Sequence, residues 1–183
     1  KVLIIDLDMR KPKIHIGFNS ENIRGMSTLL IGKDTIDSAI QRSNVENLDY
    51  ITAGPIPPNP SELIISPMMD EILDHLKTMY DVIIIDNPPV GLVSDGISII
   101  QKADYPIYIF RADYSKKNFI QNVDRLFNEI NLKKLSVILN GVDVERKNYG
   151  YNYGYGYGYG YGYGYGYGYY DEDTKTSRKR KRK

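Results

Sequence analysis

The sequence predicts an α/β fold, a mostly parallel sheet flanked by helices, with a disordered C-terminal tail. Three observations carry this reading. Four short apolar runs, Val2 to Ile5, Val82 to Ile85, Ile107 to Phe110 and Val137 to Leu139, are mostly β-branched or aromatic and do not alternate with polar residues. Such runs suit strands buried on both faces, as in a parallel sheet covered by helices. Segments with helical spacing separate them, and strands alternating with helices at these lengths give an α/β domain. From Tyr149 the period becomes two, Tyr-Gly, with glycine at every second site from 154 to 168. Half of that repeat loses maximal entropy on ordering, which predicts disorder.

In chain order, "VLIID" opens the domain as a strand. Short helices are predicted around Met26 to Ile31 and Thr35 to Arg42, and "LDYIT" at 48 to 52 is a weaker strand. "AGPIPPNPSEL" at 53 to 63 has four prolines in eight residues, so it forms a stiff extended loop that cannot join a sheet. Ser66 and Pro67 supply a cap and a first helical position, and Met68, Met69, Ile72, Leu73 and Leu76 mark one face of the helix that follows. A further helix is placed around Val93 to Lys102. Pro106 stands at the start of a strand, where its missing N–H is tolerated. After "DYSKK", Phe119, Ile120, Val123, Leu126, Phe127 and Ile130 mark the last helix face.

The chain divides into one domain at 1–146 and a Tyr/Gly-rich tail with a basic terminus at 147–183. The net charge of +1 is uneven: residues 171 to 183 carry seven Lys/Arg against three Asp/Glu, leaving 17 against 20 elsewhere. Without cysteine there is neither a disulfide framework nor a thiolate metal site. Neither a signal peptide nor a run of about 18 apolar residues occurs, so the segment is expected to be soluble. It opens on "KVLIID", without methionine and already inside an apolar run, as a fragment of something longer would. His15 and His75 are isolated, with no partner at metal spacing, and are expected in solvent; Lys116 and Lys117 open a helix as part of a solvated face.

Chemistry is concentrated at the ends of two strands. "VLIIDLDMRKP" supplies Asp6 and Asp8, and "VIIIDNPPV" supplies Asp86. In open parallel sheets ligands sit beyond the carboxyl ends of the strands, so these acids point at one crevice. Asp6 and Asp8, two apart, fall on one side of a strand. A carboxylate after a hydrophobic strand is what a nucleotide-bound magnesium ion uses, directly or through water. One such Asp alone reads better as a turn or cap residue; two strands ending alike favour a site.

These residues carry a resemblance. "VLIIDLDMRKP" resembles the Walker A′ motif and "VIIIDNPPV" the Walker B motif of the bacterial tyrosine kinases, or BY-kinases, which belong to the deviant P-loop ATPases. "GPIPPNPSELI" resembles a segment recurrent in that family, and the tyrosine-rich C-terminus matches it too, so the resemblance covers essentially the whole chain. It implies a protein-tyrosine kinase that uses ATP and Mg2+, modifies its own tail and regulates capsule and exopolysaccharide synthesis. By that resemblance Asp86 takes the Walker B role, holding Mg2+ through its water shell. Asp6 and Asp8 are the paired Walker A′ acids beside metal and γ-phosphate, with Asp6 preferred to accept the proton of an incoming tyrosine. Arg10 fits the motif's basic position and contacts phosphate, a plain surface arginine being an equal reading. Asn140, ending "SVILNGV", matches an asparagine on the adenine edge, against an equal reading as a turn residue before Gly141. The implied autophosphorylation sites are Tyr149, Tyr151, Tyr153, Tyr155, Tyr157, Tyr159, Tyr161, Tyr163, Tyr165, Tyr167, Tyr169 and Tyr170.

The sequence departs from the family in one respect: no GxxxxGK[ST] loop occurs anywhere in the chain. That loop supplies the backbone cradle, the phosphate-binding lysine and a metal-binding hydroxyl, so the fold is expected to be incomplete at its N-terminus and this segment alone to bind ATP poorly. The resemblance further implies neighbouring subunits of the same kind that phosphorylate one another's tails. It also implies a transmembrane polysaccharide co-polymerase region, in cis or as an adaptor chain, and a place at the cytoplasmic face of the bacterial inner membrane. "RKRKRK" at 178 to 183 reads as a solubilising terminus or as a binder of anionic lipid, each basic residue near a membrane being worth ~1 kcal/mol; no nucleic acid is expected. Two alternatives stand beside the kinase: a non-kinase switch ATPase of the partition or division-site type, and a tail that acts as a low-complexity interaction segment.

Overall fold

The structure, a computed structural model, describes residues 1–89, 95–130, 132 and 134–143. Four strands, β1 (Val2–Asp6), β2 (Gln41–Arg42), β3 (Leu48–Ile51) and β4 (Val82–Asp86), form one sheet in the order β2-β3-β1-β4. β1 is parallel to both β3 and β4, and β2 is antiparallel to β3. A second sheet pairs β5 (Ile107–Arg111) with β6 (Ser136–Asn140) in parallel. The helices are α1 (Ile14–Gly17), α2 (Met26–Leu30), α3 (Ile36–Ala39), α4 (Pro60–Ile64), α5 (Pro67–Met79), α6 (Asp95–Lys102) and α7 (Ile120–Asn128), the last preceded by a 3-10 turn at Lys117–Phe119. The mostly parallel α/β fold is the one expected. The tail tyrosines, 149 to 170, and the basic terminus lie outside the described residues.

The core lies on β1 and its neighbours. Leu3 and Ile5 of β1, Ile51 of β3 and the stripe Met69, Ile72, Leu73 and Leu76 of α5 are buried together. Each such side chain contributes roughly 1.5–3 kcal/mol on leaving water. Met68, the second residue of α5 and four before Ile72, lies at the edge of the stripe and is exposed. Ser66 and Pro67 open α5 as expected, although the Ser66 hydroxyl donates to the Leu63 carbonyl at 2.7 Å instead of capping the helix.

Further expectations change. The extended loop expected over 53–63 ends at Asn59, because Pro60 at the first helical position starts α4. The helix predicted over Thr35 to Arg42 ends at Ala39, and Gln41–Arg42 forms an edge strand. Thr35 and Ser38 accept each other's backbone N–H, which fixes a single turn, and the edge of β3 then offers Gln41 and Arg42 partners in Tyr50 and Asp49. Burial on both faces does not hold for the apolar runs: in β1 Leu3 and Ile5 are buried but Val2 and Ile4 only half-buried, and Val82, Ile84, Ile107, Ile109 and the middle of β6 are about half exposed. His15 is half-buried rather than solvated, and its Nδ1 is a buried atom with no partner, whereas His75 is exposed as expected.

At the N-terminal end of the strands, the Tyr80 hydroxyl donates to Asp49 at 2.8 Å. The Lys1 ammonium lies 3.2 Å from the same carboxylate and 4.4 Å above the Tyr80 ring centre. Burial first, and then Asp49, push the Tyr80 phenol well above its ordinary range.

Candidate active site

β1 and β4 run side by side in register, so that Asp6 pairs with Asp86 at their carboxyl ends. The Leu7 amide donates to the Asp86 carbonyl at 2.9 Å, carrying the pairing one residue past both acids. β1 itself stops at Asp6, so strand alternation does not set the place of Asp8. A turn does. Leu7 and Met9 sink into the core, and the intervening acids fold the backbone onto themselves.

Both acids serve that turn. Asp6 has no exposed surface; one of its oxygens accepts the Asp8 amide at 3.0 Å, and the other accepts the amides of Lys13 and Ile14 at 3.2 and 3.1 Å. Asp8 accepts the amides of Arg10 and Lys11 at 3.2 and 3.0 Å. Burial raises the Asp6 pKa despite three N–H groups that pull it down. Asp86 is more open to solvent, yet desolvation, and then the charges of Asp6 and Asp8, push its carboxyl up to about 6. The excess negative charge suits a divalent cation with oxygen ligands. Among the described residues no group of three acidic or imidazole side chains makes a closed metal cage. Mg2+ needs none, since it keeps several waters and takes one or two carboxylates.

Arg10 leaves this turn and reaches the proline-rich segment, where its Nη2 donates to the Ser61 hydroxyl at 2.7 Å. That segment is held firmly. The Asn22 side chain donates to the Gly54 carbonyl at 2.7 Å and accepts the Gly54 amide at 2.8 Å, while the Ser27 hydroxyl donates to the Pro55 carbonyl at 2.7 Å. The amides of Met26 and Ser27, which open α2, donate to the carbonyls of Thr52 and Ala53, both at 2.8 Å. Gly25 permits this approach, because a Cβ there would lie 2.1 Å from the Thr52 carbonyl oxygen. Gly54 has φ +78°, which glycine adopts without strain. Beside Asp86, the Asn87 side chain donates to the Gly96 carbonyl at 3.1 Å, and its Oδ1 is buried without a partner.

The structure thus brings Asp6, Asp8, Asp86 and Arg10 to one end of the first sheet. Asn140 ends β6 of the second sheet, where its carbonyl accepts the Ala112 amide at 2.8 Å. Sequence reasoning missed Ser61, Asn22, Gly25 and Asn87. Their partners are far away in sequence or, for Asn87, lie across a segment whose path no local pattern fixes.

Comparison with known proteins decides the family. An AAA domain matches residues 1–137. The tyrosine-protein kinase YwqD of Bacillus subtilis (strain 168) is 36% identical over 151 residues, 82% of this chain and 64% of that protein. Among solved structures, the kinase domain of the Escherichia coli tyrosine kinase Etk superposes with a TM-score of 0.73 at 32% identity, covering 86% of this chain and 60% of that one. The chimerical protein CapA2B2 gives 0.71 at 38% identity, covering 75% and 61%. The chain belongs to the AAA domain family and, within it, to the BY-kinases. This BY-kinase chain spans about two thirds of the length of the curated relatives it matches first, 65% and 64%, and about a fifth of others. The in-register acids and the pinned proline segment are therefore elements of a BY-kinase fold. No described helix is long and apolar enough to cross a membrane.

Proposed function

We propose that this chain is the catalytic segment of a protein-tyrosine kinase that phosphorylates the tyrosine cluster at 149 to 170, on its own or a neighbouring copy's tail, and through that regulates capsule or exopolysaccharide synthesis. The observation that carries the reading is the register pairing of Asp6 with Asp86 inside a fold that superposes on the Etk kinase domain.

ATP is the phosphoryl donor, and Mg2+, when bound, neutralises charge on the phosphoryl oxygens. Asp86 is the metal-side carboxylate, the more open of the pair, and Asp6 stands next to it. The remaining chemistry concerns the acceptor. A phenol of pKa about 10 is a poor nucleophile at neutral pH unless a carboxylate takes or orients its proton. The Walker A′ acids take that part: the proton passes from the tyrosine oxygen to a carboxylate as the O–P bond forms and ADP departs. Asp6 has both oxygens engaged by backbone amides, so it positions the turn, and Asp8, buried but less completely and bonded to amides through one oxygen, is the better placed of the two to meet a hydroxyl. Arg10 contacts phosphate, and Asn140 offers an amide, donor and acceptor together, to the adenine edge. Each added phosphate brings about −1.5 to −2 charge, so even a partly modified tail repels its neighbours. A membrane-spanning co-polymerase, in cis or as an adaptor, fits as partner at the cytoplasmic face of the membrane.

The test uses the full-length protein that carries this chain. Incubation with MgATP and mapping of phosphate by mass spectrometry should find phosphotyrosine between Tyr149 and Tyr170, and Asp86→Asn should abolish it. Unmodified tail tyrosines, or modification that survives Asp86→Asn, would refute the reading.

A further inference from the structure

We propose that Ser61 is a positioning residue: it seats the Arg10 guanidinium at the lip of the acid turn, and the pair forms a two-donor seat for a phosphoryl group. The proposal rests on the reading of Arg10 as a phosphate contact and adds a residue that neither the motifs nor the resemblance singles out.

Arg10 is tethered at both ends. Its backbone amide is held by Asp8, two residues from Asp6, and its Nη2 is held by Ser61, fifty-one residues further along the chain. An exposed arginine has about 2 kcal/mol of rotamer entropy to lose on binding an anion, and a guanidinium already fixed in place loses less. The anchor is itself rigid. Ser61 stands in the first turn of α4, directly after the proline segment, and that segment is fastened at Gly54 and Pro55 to Asn22 and Ser27. Ser61 therefore holds a place set by the packed domain rather than by its own loop.

The chemistry of the contact selects the ligand. A serine oxygen that accepts from Arg10 still has its own O–H to donate, and the guanidinium has only donors. Two adjacent donors, one cationic, recognise an anionic oxygen cluster, and a phosphoryl group is the anion that the neighbouring acids, once bridged by a cation, would admit. Two sources present it: the terminal phosphates of a nucleotide, and phosphotyrosine of the tail.

Affinities of the full-length protein for MgADP and for a Gly-phosphotyrosine-Gly peptide should be measured by isothermal titration, with Ser61→Ala, Ser61→Thr, Arg10→Ala and the double variant. Ser61→Ala should weaken one of the two ligands by ~3- to 10-fold, the range for one ordinary net hydrogen bond. The ligand that responds identifies the source. Ser61→Thr should bind as the parent does, because it keeps the hydroxyl. The double variant should lose less than the product of the two single losses, since the serine acts in part through the arginine. Equal melting temperatures would show that the loss is not one of folding. Unchanged affinity for both ligands in Ser61→Ala, losses that multiply in the double variant, or failure of the parent to bind either ligand would overturn the proposal. A protein that binds with this Ser61 dependence yet leaves its tyrosines unmodified would refute the kinase reading and leave the seat standing.

Discussion

Asp6 and Asp86 are register partners at the ends of two adjacent parallel strands, one wholly buried and the other open to solvent. Parallel pairing without a shift makes that juxtaposition unavoidable once both apolar runs end in acid. It also crowds negative charge: desolvation first, and then the charges of Asp6 and Asp8, push the Asp86 carboxyl up to about 6.

The first prediction follows from the sign of that shift. An unfolded Asp titrates near about 3.9, whereas the folded Asp86 holds its proton up to about 6. The folded state therefore binds more protons in that window, so the contribution of Asp86 to stability is full below about pH 4 and is lost as the pH rises through 6. Asp86→Asn removes the loss. Without metal it should raise the melting temperature at pH 7.5 by ~1–3 °C, a small gain because Asp86 is partly screened by solvent, and should leave it unchanged at pH 4. Added Mg2+ should stabilise the parent at pH 7.5 more than the variant. Scanning fluorimetry at the two pH values decides; a variant less stable at pH 7.5 would contradict the crowding.

Much of this was legible in the sequence. The apolar runs located five strands, and two of them end in the acids that parallel pairing brings side by side. Three things were not legible. Gln41 and Arg42 join an edge because β3 offers them partners, a tertiary effect that local helical spacing cannot report. Asp8 sits where a turn puts it, not where strand period would, because the burial of Leu7 and Met9 bends the chain. The seat of Arg10 depends on a contact fifty-one residues away.

A second prediction concerns the junction that carries the proline segment. Gly25→Ala would drive a Cβ to 2.1 Å from the Thr52 carbonyl oxygen and 2.5 Å from the Gly54 amide nitrogen, both of them backbone atoms that cannot swing aside. The entry to α2 would have to shift away from β3. A cost of ~2 kcal/mol or more is expected, as for other overpacked sites, measured as a lower urea midpoint with an unchanged slope. Gly17→Ala, where nothing lies within 4 Å, is the control and should be near neutral.

A third concerns the opposite end of the sheet. Tyr80→Phe deletes the hydroxyl that donates to Asp49 and leaves that nearly buried carboxylate to Lys1 alone. Loss of ~1–2 kcal/mol at pH 7 is expected. Because burial and Asp49 raise the Tyr80 pKa, its contribution to stability is full below pH about 10 and declines as alkali approaches the raised value. The variant should therefore lose stability more shallowly than the parent above pH 10 in urea titrations. Parallel curves would assign the alkaline loss to other groups.

The last prediction separates the two strand-end acids. Asp6 accepts three backbone amides through two oxygens, and Asp6→Asn replaces one of those oxygens by an NH2 that faces donors. Whichever way the amide turns, at least one buried N–H loses its acceptor, at a cost of ~1–3 kcal/mol. Asp86 carries no such duty, since no described amide donates to its carboxylate and its substitution relieves repulsion. Asp6→Asn should therefore lower both stability and any phosphoryl transfer, while Asp86→Asn should abolish transfer and raise stability at pH 7.5. Urea midpoints and phosphotyrosine yield, measured on the same preparations of the full-length protein, give the comparison. If Asp6→Asn proved as stable as the parent, the turn would not depend on its carboxylate, and Asp6 would have to be reconsidered as an acid that acts on substrate directly.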